Sequence, residues 1–267
     1  MGIFPTLLGV AVAAAAIPAA PTPAPLRDPV KPALWLVTDG DTTIYLFGTF
    51  HALDGSANWF KDGVRQAFHQ SDQLVLETLV PPAGAAPLSI PKTAVPTRKT
   101  GPTASFAAST RMVMNATRNR GMSTAQGADA ALRLAAEGSG KPVAGLESFE
   151  FQINMFSSLA ATPQPQVEIA GPSPMLALSA VLAKLQDAWV RGDMATFVPM
   201  LEQMRETSPL AYRTMFVDRN ARWAGWIAER LRQPGTVFVA VGAGHLAGRD
   251  SVQAQLAAKG VGSFRIN

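Results

Sequence analysis

The sequence predicts an α/β protein. Short apolar runs of strand character, LWLVT (34–38), TIYLFG (43–48), QLVLET (73–78) and TVFVAVG (236–242), are separated by longer stretches. In those stretches apolar residues recur at helical spacing, as Val64, Ala67 and Phe68 do within 60–70. Two of the apolar runs also break directly into a Gly-x-x-His tetrapeptide.

The elements follow in chain order. LWLVT and TIYLFG flank the polar turn Asp39-Gly40-Asp41 and predict a β-hairpin. A helix over 60–70 leads to QLVLET, a buried strand with a carboxylate, Glu77, near its end. The Pro- and Ala-rich stretch 80–105 predicts a loop or lid. Helices are expected near 107–119 and 127–138, then a short strand in KPVAGLES with Glu147 at its end. A helix over 149–161, a Pro-containing loop over 162–174, and helices over 175–191 and 193–206 follow.

The longest predicted helix runs from Pro209 to Gln233, with Ser208 as its N-cap. Its apolar stripe is Tyr212, Phe216, Trp223, Ile227 and Leu231, with Trp226 alongside, and Arg219 and Asn220 interrupt that face. The last strand, 236–242, passes through GAGH into a final helix from about Asp250 to Lys259.

Composition narrows the function classes. Hydrophobic residues make up 48% of the 267, enough for a real core, and one core is the simpler arrangement. Cysteine is absent, which excludes disulfides, thiolate catalysis and a Cys-type zinc site. The net charge of +4 comes from scattered Lys and Arg, with no stripe that would track a phosphate backbone, so nucleic acid is not an expected partner.

Residues 7–17, LLGVAVAAAAI, with small residues at Ala16, Ala19 and Ala20, read as the apolar core and cleavage region of a secretory signal peptide. The run is shorter than the roughly 20 residues a spanning helix needs. No Lys or Arg precedes Arg27, so only the terminal amine supplies positive charge. The expected organisation is a signal peptide and Pro-rich leader over 1–24 and a single domain over 25–267. The mature protein is then exported, periplasmic or secreted, with no stable membrane span.

The chain has three histidines, and two end the same tetrapeptide: Gly48-Thr49-Phe50-His51 and Gly242-Ala243-Gly244-His245. Glycine at a strand end permits a sharp turn and close backbone approach. A histidine there projects toward the crevice at strand carboxyl ends, where open α/β sheets bind ligands. Two hydrogen-bonded helix-entry histidines would show the same pattern. His69 lies on the amphipathic 60–70 helix and reads as solvent-facing.

Glu77 and Glu147 each end a largely apolar strand, where a carboxylate must be paired, metal-bound or solvated. Two imidazoles and such carboxylates are ligand types for a divalent ion, although each Glu alone also fits a strand-end surface charge. Arg219, on an apolar helix face, either neutralises a buried carboxylate, binds an anion or snorkels to solvent. GAGHLA imitates a dinucleotide fingerprint. The chain ends 20 residues after Ala247, without the second strand and acidic residue that fingerprint requires.

Taken together, IYLFGTFHAL, LVLET, GADAALRLAAEGSGKPVAGLES, the segment Trp189 to Asp193, RNARWAGWI and FVAVGAGHLAG resemble the TraB/GumN family. That family includes the TIKI proteases and is related to erythromycin-esterase-like and ChaN-like proteins. The resemblance spans Leu34 to Asn267. It implies a central mixed sheet flanked by helices, with a strand-end crevice lined by both Gly-x-x-His motifs.

It further implies a divalent ion (Mn, Co or Zn) on His51 and His245, with Glu77 as ligand or general base. Arg219 would polarise substrate or hold the carboxylates, and Glu147 stands at the family's Leu-Glu position. The expected activity is metal-dependent hydrolysis of a peptide or a small ester or amide. The ion would polarise the substrate, and Glu77 would deprotonate a water. The alternatives are an exported binding protein for haem, metal or a polysaccharide fragment, or an envelope assembly factor. Val80 to Gly121 departs from the family pattern in being short and Pro-rich.

Overall fold

The computed structural model describes residues 30–80, 106–160 and 174–267. The predicted leader and most of the two Pro-rich loops lie outside them. β1 (Leu34–Thr38) and β2 (Thr42–Thr49) form the predicted hairpin, with Leu34 opposite Phe47 and Thr38 opposite Thr43. The Asp39 carboxylate accepts from the backbone amide of Thr42 at 3.0 Å and closes the turn.

α1 (Asp62–Gln70), β3 (Gln73–Thr78), α2 (Phe106–Asn119), α3 (Ala128–Gly138), β4 (Val143–Glu147), α4 (Phe149–Ala160), α5 (Pro174–Val190) and α6 (Val198–Thr207) follow. The helix expected from 193 opens as a 3-10 turn at Ala195–Phe197.

The long helix expected from Pro209 is three helical pieces in succession. These are α7 (Pro209–Tyr212), a π turn (Arg213–Val217) and α8 (Asp218–Arg230). The side chain of Ser208 makes no capping hydrogen bond there. β5 (Gly235–Gly242), a 3-10 turn (Ala243–Leu246) and α9 (Val252–Ala257) complete the βα pattern. α9 is shorter than expected and is capped by Ser251, whose hydroxyl accepts from the amide of Ala254. A two-residue strand that the sequence did not announce, β6 (Phe264–Arg265), pairs antiparallel with β1.

The six strands form one mixed sheet in the order β4-β3-β5-β2-β1-β6. β4, β3, β5 and β2 run parallel, and β1 and β6 add the antiparallel edge. Strand alternation divides the core. On β5, Phe238 and Ala240 enter one apolar cluster, while Val237, Val239 and Val241 enter the other. The first cluster packs Phe47, Trp59, Phe68, Leu132 and Trp189 on one face of the sheet. The second packs Ile44, Leu46, Trp223, Ile227 and Leu256 on the opposite face.

Phe47 stacks on Trp59 at 5.6 Å, and Trp189 meets Trp59 edge-on at 5.7 Å. The Trp189 indole also donates to the carbonyl of Gly48 at 2.7 Å, so the core reaches the first residue of the first Gly-x-x-His segment. Among the described residues no helix is long and apolar enough to cross a membrane.

The parallel register matters most for the site. Thr49 lies opposite Gly242, and Thr78 lies opposite Glu147. The carboxyl ends of all four parallel strands therefore reach one edge of the sheet. His51, Glu77, Glu147 and His245 stand along that edge.

Candidate active site at the strand carboxyl edge

Arg219 is the hub. Its side chain is only 2% exposed, delivered by α8 against the strand ends. One terminal nitrogen donates to Oε1 of Glu77 at 2.5 Å and to Oε2 of Glu147 at 2.7 Å. Its Nε donates to both Glu147 oxygens, at 2.9 and 3.1 Å. The guanidinium plane lies 4.6 Å from the Trp223 ring centre. Two buried carboxylates at adjacent strand ends would repel each other, and one planar, always-charged fork satisfies both. Arg222, half-exposed, adds a second cation at 3.0 Å from Glu147 Oε1 and stacks on Phe151.

The remaining capacity of Glu77 is filled as well. Gln152 of α4 donates to Oε1 at 3.1 Å, and the Gly242 amide donates to Oε2 at 3.1 Å. Burial alone would raise the Glu77 pKa. Attraction to His245 when that ring is charged, to Arg219 and to His51, with the Arg219 hydrogen bond, instead holds its carboxyl well below the usual carboxylate range.

Both motif histidines face that same carboxylate. His51 Nε2 lies 3.8 Å and His245 Nε2 4.0 Å from Glu77 Oε2. Each ring is anchored through its other nitrogen. His245 Nδ1 sits 2.6 Å from Asn220 Oδ1, and the Asn220 amide nitrogen donates to the Asp250 carbonyl at 2.7 Å. That donation orients the Asn220 oxygen toward the ring, so Nδ1 of His245 carries the proton. His51 Nδ1 sits 2.8 Å from Asp129 Oδ2.

The two rings differ electrostatically. His245 is buried between Phe216 and Trp223. Burial, opposed by Glu77 but helped by the charges of Arg219 and His51, pushes its pKa down to about 3. The His51 side chain is 56% exposed. Desolvation by the surrounding protein works against its charge, yet the Asp129 carboxylate, its hydrogen bond and Glu77 prevail and raise the pKa to about 9. Without an added ion, His51 is the cation and His245 the neutral ring at ordinary pH.

Glycine at 242 is a requirement of this packing. A Cβ there would stand 2.7 Å from His51 Nε2 and 3.4 Å from Glu77 Oε2.

The donor set suits a divalent ion in chemistry and orientation. Two imidazoles whose Nδ1 atoms are held by oxygen acceptors present Nε2 to one carboxylate oxygen, the usual support of metal-binding histidines. Ligand atoms around one such ion lie about 3–4 Å apart, given metal–ligand bonds near 2.1 Å. Among the described residues, however, no three His, Cys, Asp or Glu side chains already form a cation cage. Arg219 Nη1 also lies 3.3 Å from His245 Nε2. Ion binding would require the trio to draw in and that contact to open.

All five residues singled out from the sequence, His51, Glu77, Glu147, Arg219 and His245, meet at this edge, and His69 is exposed elsewhere. Sequence reading assigned no role to Asp129, Gln152 or Arg222, and noted Asn220 only as a gap in an apolar stripe. An acid in a helix's first turn, as Asp129 is, is a common feature of helices and gave no separate signal. A separate recess lined by Ser56, Asn58, Arg120, Gln186 and Asp187 shares no residue with this cluster.

The chain matches the TraB/PrgY/gumN family over residues 33–109 and 92–262. No curated protein and no solved structure matches it. The two matched stretches overlap within the Pro-rich segment and together span nearly all described elements, including every residue of the cluster. The chain belongs to the TraB/PrgY/gumN family.

Proposed function

We propose that this protein is a hydrolase that holds a divalent ion, Mn, Co or Zn, on His51, His245 and Glu77. Its substrate is a peptide or a small ester or amide. The single observation that carries this reading is the convergence of two anchored imidazole Nε2 atoms on one oxygen of Glu77, at 3.8 and 4.0 Å. An ion there would supply Lewis-acid polarisation of a carbonyl and a lowered pKa for water.

The protein's own groups divide the remaining work. Asn220 and Asp129 orient the rings. Glu77, held anionic by three donors, is suited to ligation. The same donors make it a poor proton acceptor, so the general-base role expected from the resemblance is not favoured. Arg219 keeps Glu77 and Glu147 together at the strand ends, and Arg222 presents a half-exposed cation beside them.

Two observations favour a second reading. Arg219 already contacts His245 Nε2, and His51 with Asp129 forms an exposed acid–base pair that needs no ion. In that reading His51, already protonated, would give its proton to the leaving group and regain one from the attacking water during hydrolysis.

The experiment that separates them is calorimetry of chelator-stripped protein with Mn²⁺, Co²⁺ and Zn²⁺, followed by digestion of a peptide library with and without the bound ion. Binding lost in the His51→Ala/His245→Ala double variant supports the first reading. Cleavage by ion-free protein supports the second. Neither binding nor cleavage would leave the two non-catalytic readings, an exported binding protein or an envelope assembly factor. Export is part of the proposal, on the strength of the 7–17 apolar run. Intact-mass measurement of protein from its native host tests it, and a full-length cytoplasmic species would refute it.

A further inference from the structure

We propose that Asp129 is the positioning residue of His51: its carboxylate holds the neutral imidazole as the tautomer protonated at Nδ1, so that Nε2 is the nitrogen left bare toward Glu77. The geometry behind this is a unit made from two segments far apart in sequence. Asp129 Oδ2 lies 2.8 Å from His51 Nδ1, and its Oδ1 accepts from the Thr49 hydroxyl at 2.9 Å. Thr49 is the last residue of β2 and is 1% exposed, so the carboxylate is gripped on both oxygens by the segment that carries His51.

The backbones are joined too. The amide of Ala128, first residue of α3, donates to the carbonyl of Phe50 at 3.0 Å. A Cβ on Gly127 would fall 2.1 Å from the carbonyl oxygen of His51. That spacing admits only glycine while both backbones stay in place. Residues 127–129 and 49–51 thus lock together at three successive positions.

An acidic residue in a helix's first turn ordinarily needs no more than the helix's own amides as partners. Both described hydrogen bonds of Asp129 go instead to Thr49 and His51. A carboxylate accepts and cannot donate, so the proton between Asp129 and the neutral ring resides on Nδ1, and the lone pair is left on Nε2. Asn220 imposes the same tautomer on His245, so both rings offer Nε2 to one carboxylate by different means.

The role in ion binding rests on the cation reading above; the tautomer does not. The test uses the full chain, metal-free and labelled with ¹⁵N-histidine. Two-bond ¹H–¹⁵N spectra, at alkaline pH where the ring is neutral, report which nitrogen carries the proton. The wild type should show His51 protonated at Nδ1. In Asp129→Asn, whose amide can donate, a substantial fraction should shift to protonated Nε2.

Zn²⁺ affinity of the same variant, by calorimetry, should fall about 10–100-fold, with the melting midpoint nearly unchanged at alkaline pH, where the ring is neutral. A purely structural Asp129 would move the midpoint and leave the tautomer alone. A wild-type ring protonated at Nε2, or an Asp129→Asn spectrum identical to wild type, overturns the proposal, and the wild-type spectrum decides even if the variant fails to fold. Wild type that binds no Zn²⁺ but shows the expected tautomers would sink the cation reading and leave the positioning role standing.

Discussion

Arg219 donates to Oε1 of Glu77 at 2.5 Å, joining the only interior guanidinium of α8 to the carboxylate that both motif histidines face. The two side chains are 2% and 9% exposed, so neither charge has water to fall back on. Arg219→Ala leaves Glu77 and Glu147 as buried, largely uncompensated anions, and breaking such a pair costs about 3–5 kcal/mol. A thermal or urea melt should show a marked loss of stability. An unchanged midpoint would refute the hub role.

Gly242 and Gly127 should separate function from folding. In Gly242→Ala the new methyl meets the end of an exposed His51 side chain, which can swing away. Stability should hold to within about 1 kcal/mol while ion binding and any hydrolysis fall sharply. In Gly127→Ala the methyl meets a backbone carbonyl that cannot swing, so the variant should lose about 1–3 kcal/mol. Equal melting midpoints for the two variants would contradict this assignment.

Glu77→Gln distinguishes ligand from base. The amide keeps the shape but loses the charge that Arg219 neutralises, and it presents a weaker donor to any ion. If Glu77 is a ligand, calorimetry should show ion affinity and turnover falling together. Undiminished affinity with lost turnover would restore the general-base role.

The histidines should titrate in opposite directions in the metal-free protein. NMR should find His51 titrating near 9 and His245 near 3. The raised value means that folded His51 holds its proton more tightly than the unfolded chain. Its contribution to stability is complete below about pH 6.5 and is lost as pH rises through about 9. The lowered value acts the other way. His245 contributes above about pH 6.5 and loses that contribution as pH falls toward about 3. In urea melts, His51→Gln should flatten the alkaline limb alone. A flattened acid limb, with the alkaline limb unaltered, would show the assignments to be reversed.

The sequence by itself determined five of the six strands, β6 excepted, and the residues that had to be special. Short apolar runs rich in β-branched and aromatic residues and bounded by turn residues favour sheet, and an ionisable group at the end of such a run stands out because it needs a partner. His51, Glu77, Glu147, Arg219 and His245 were legible for that reason, each a local anomaly against an apolar background. Which partner each one met was a matter of tertiary structure. The parallel order β4-β3-β5-β2 aligned four carboxyl ends on one edge, a long-range pairing that no local pattern encodes. Asp129, Gln152 and Arg222 occupy ordinary helix positions and gain their roles only because α3, α4 and α8 pack over that edge. The two histidines read alike in sequence. Packing buried one between aromatic rings and left the other half in solvent beside a carboxylate, and because charge is governed by surroundings, only the folded structure sets which ring holds a proton.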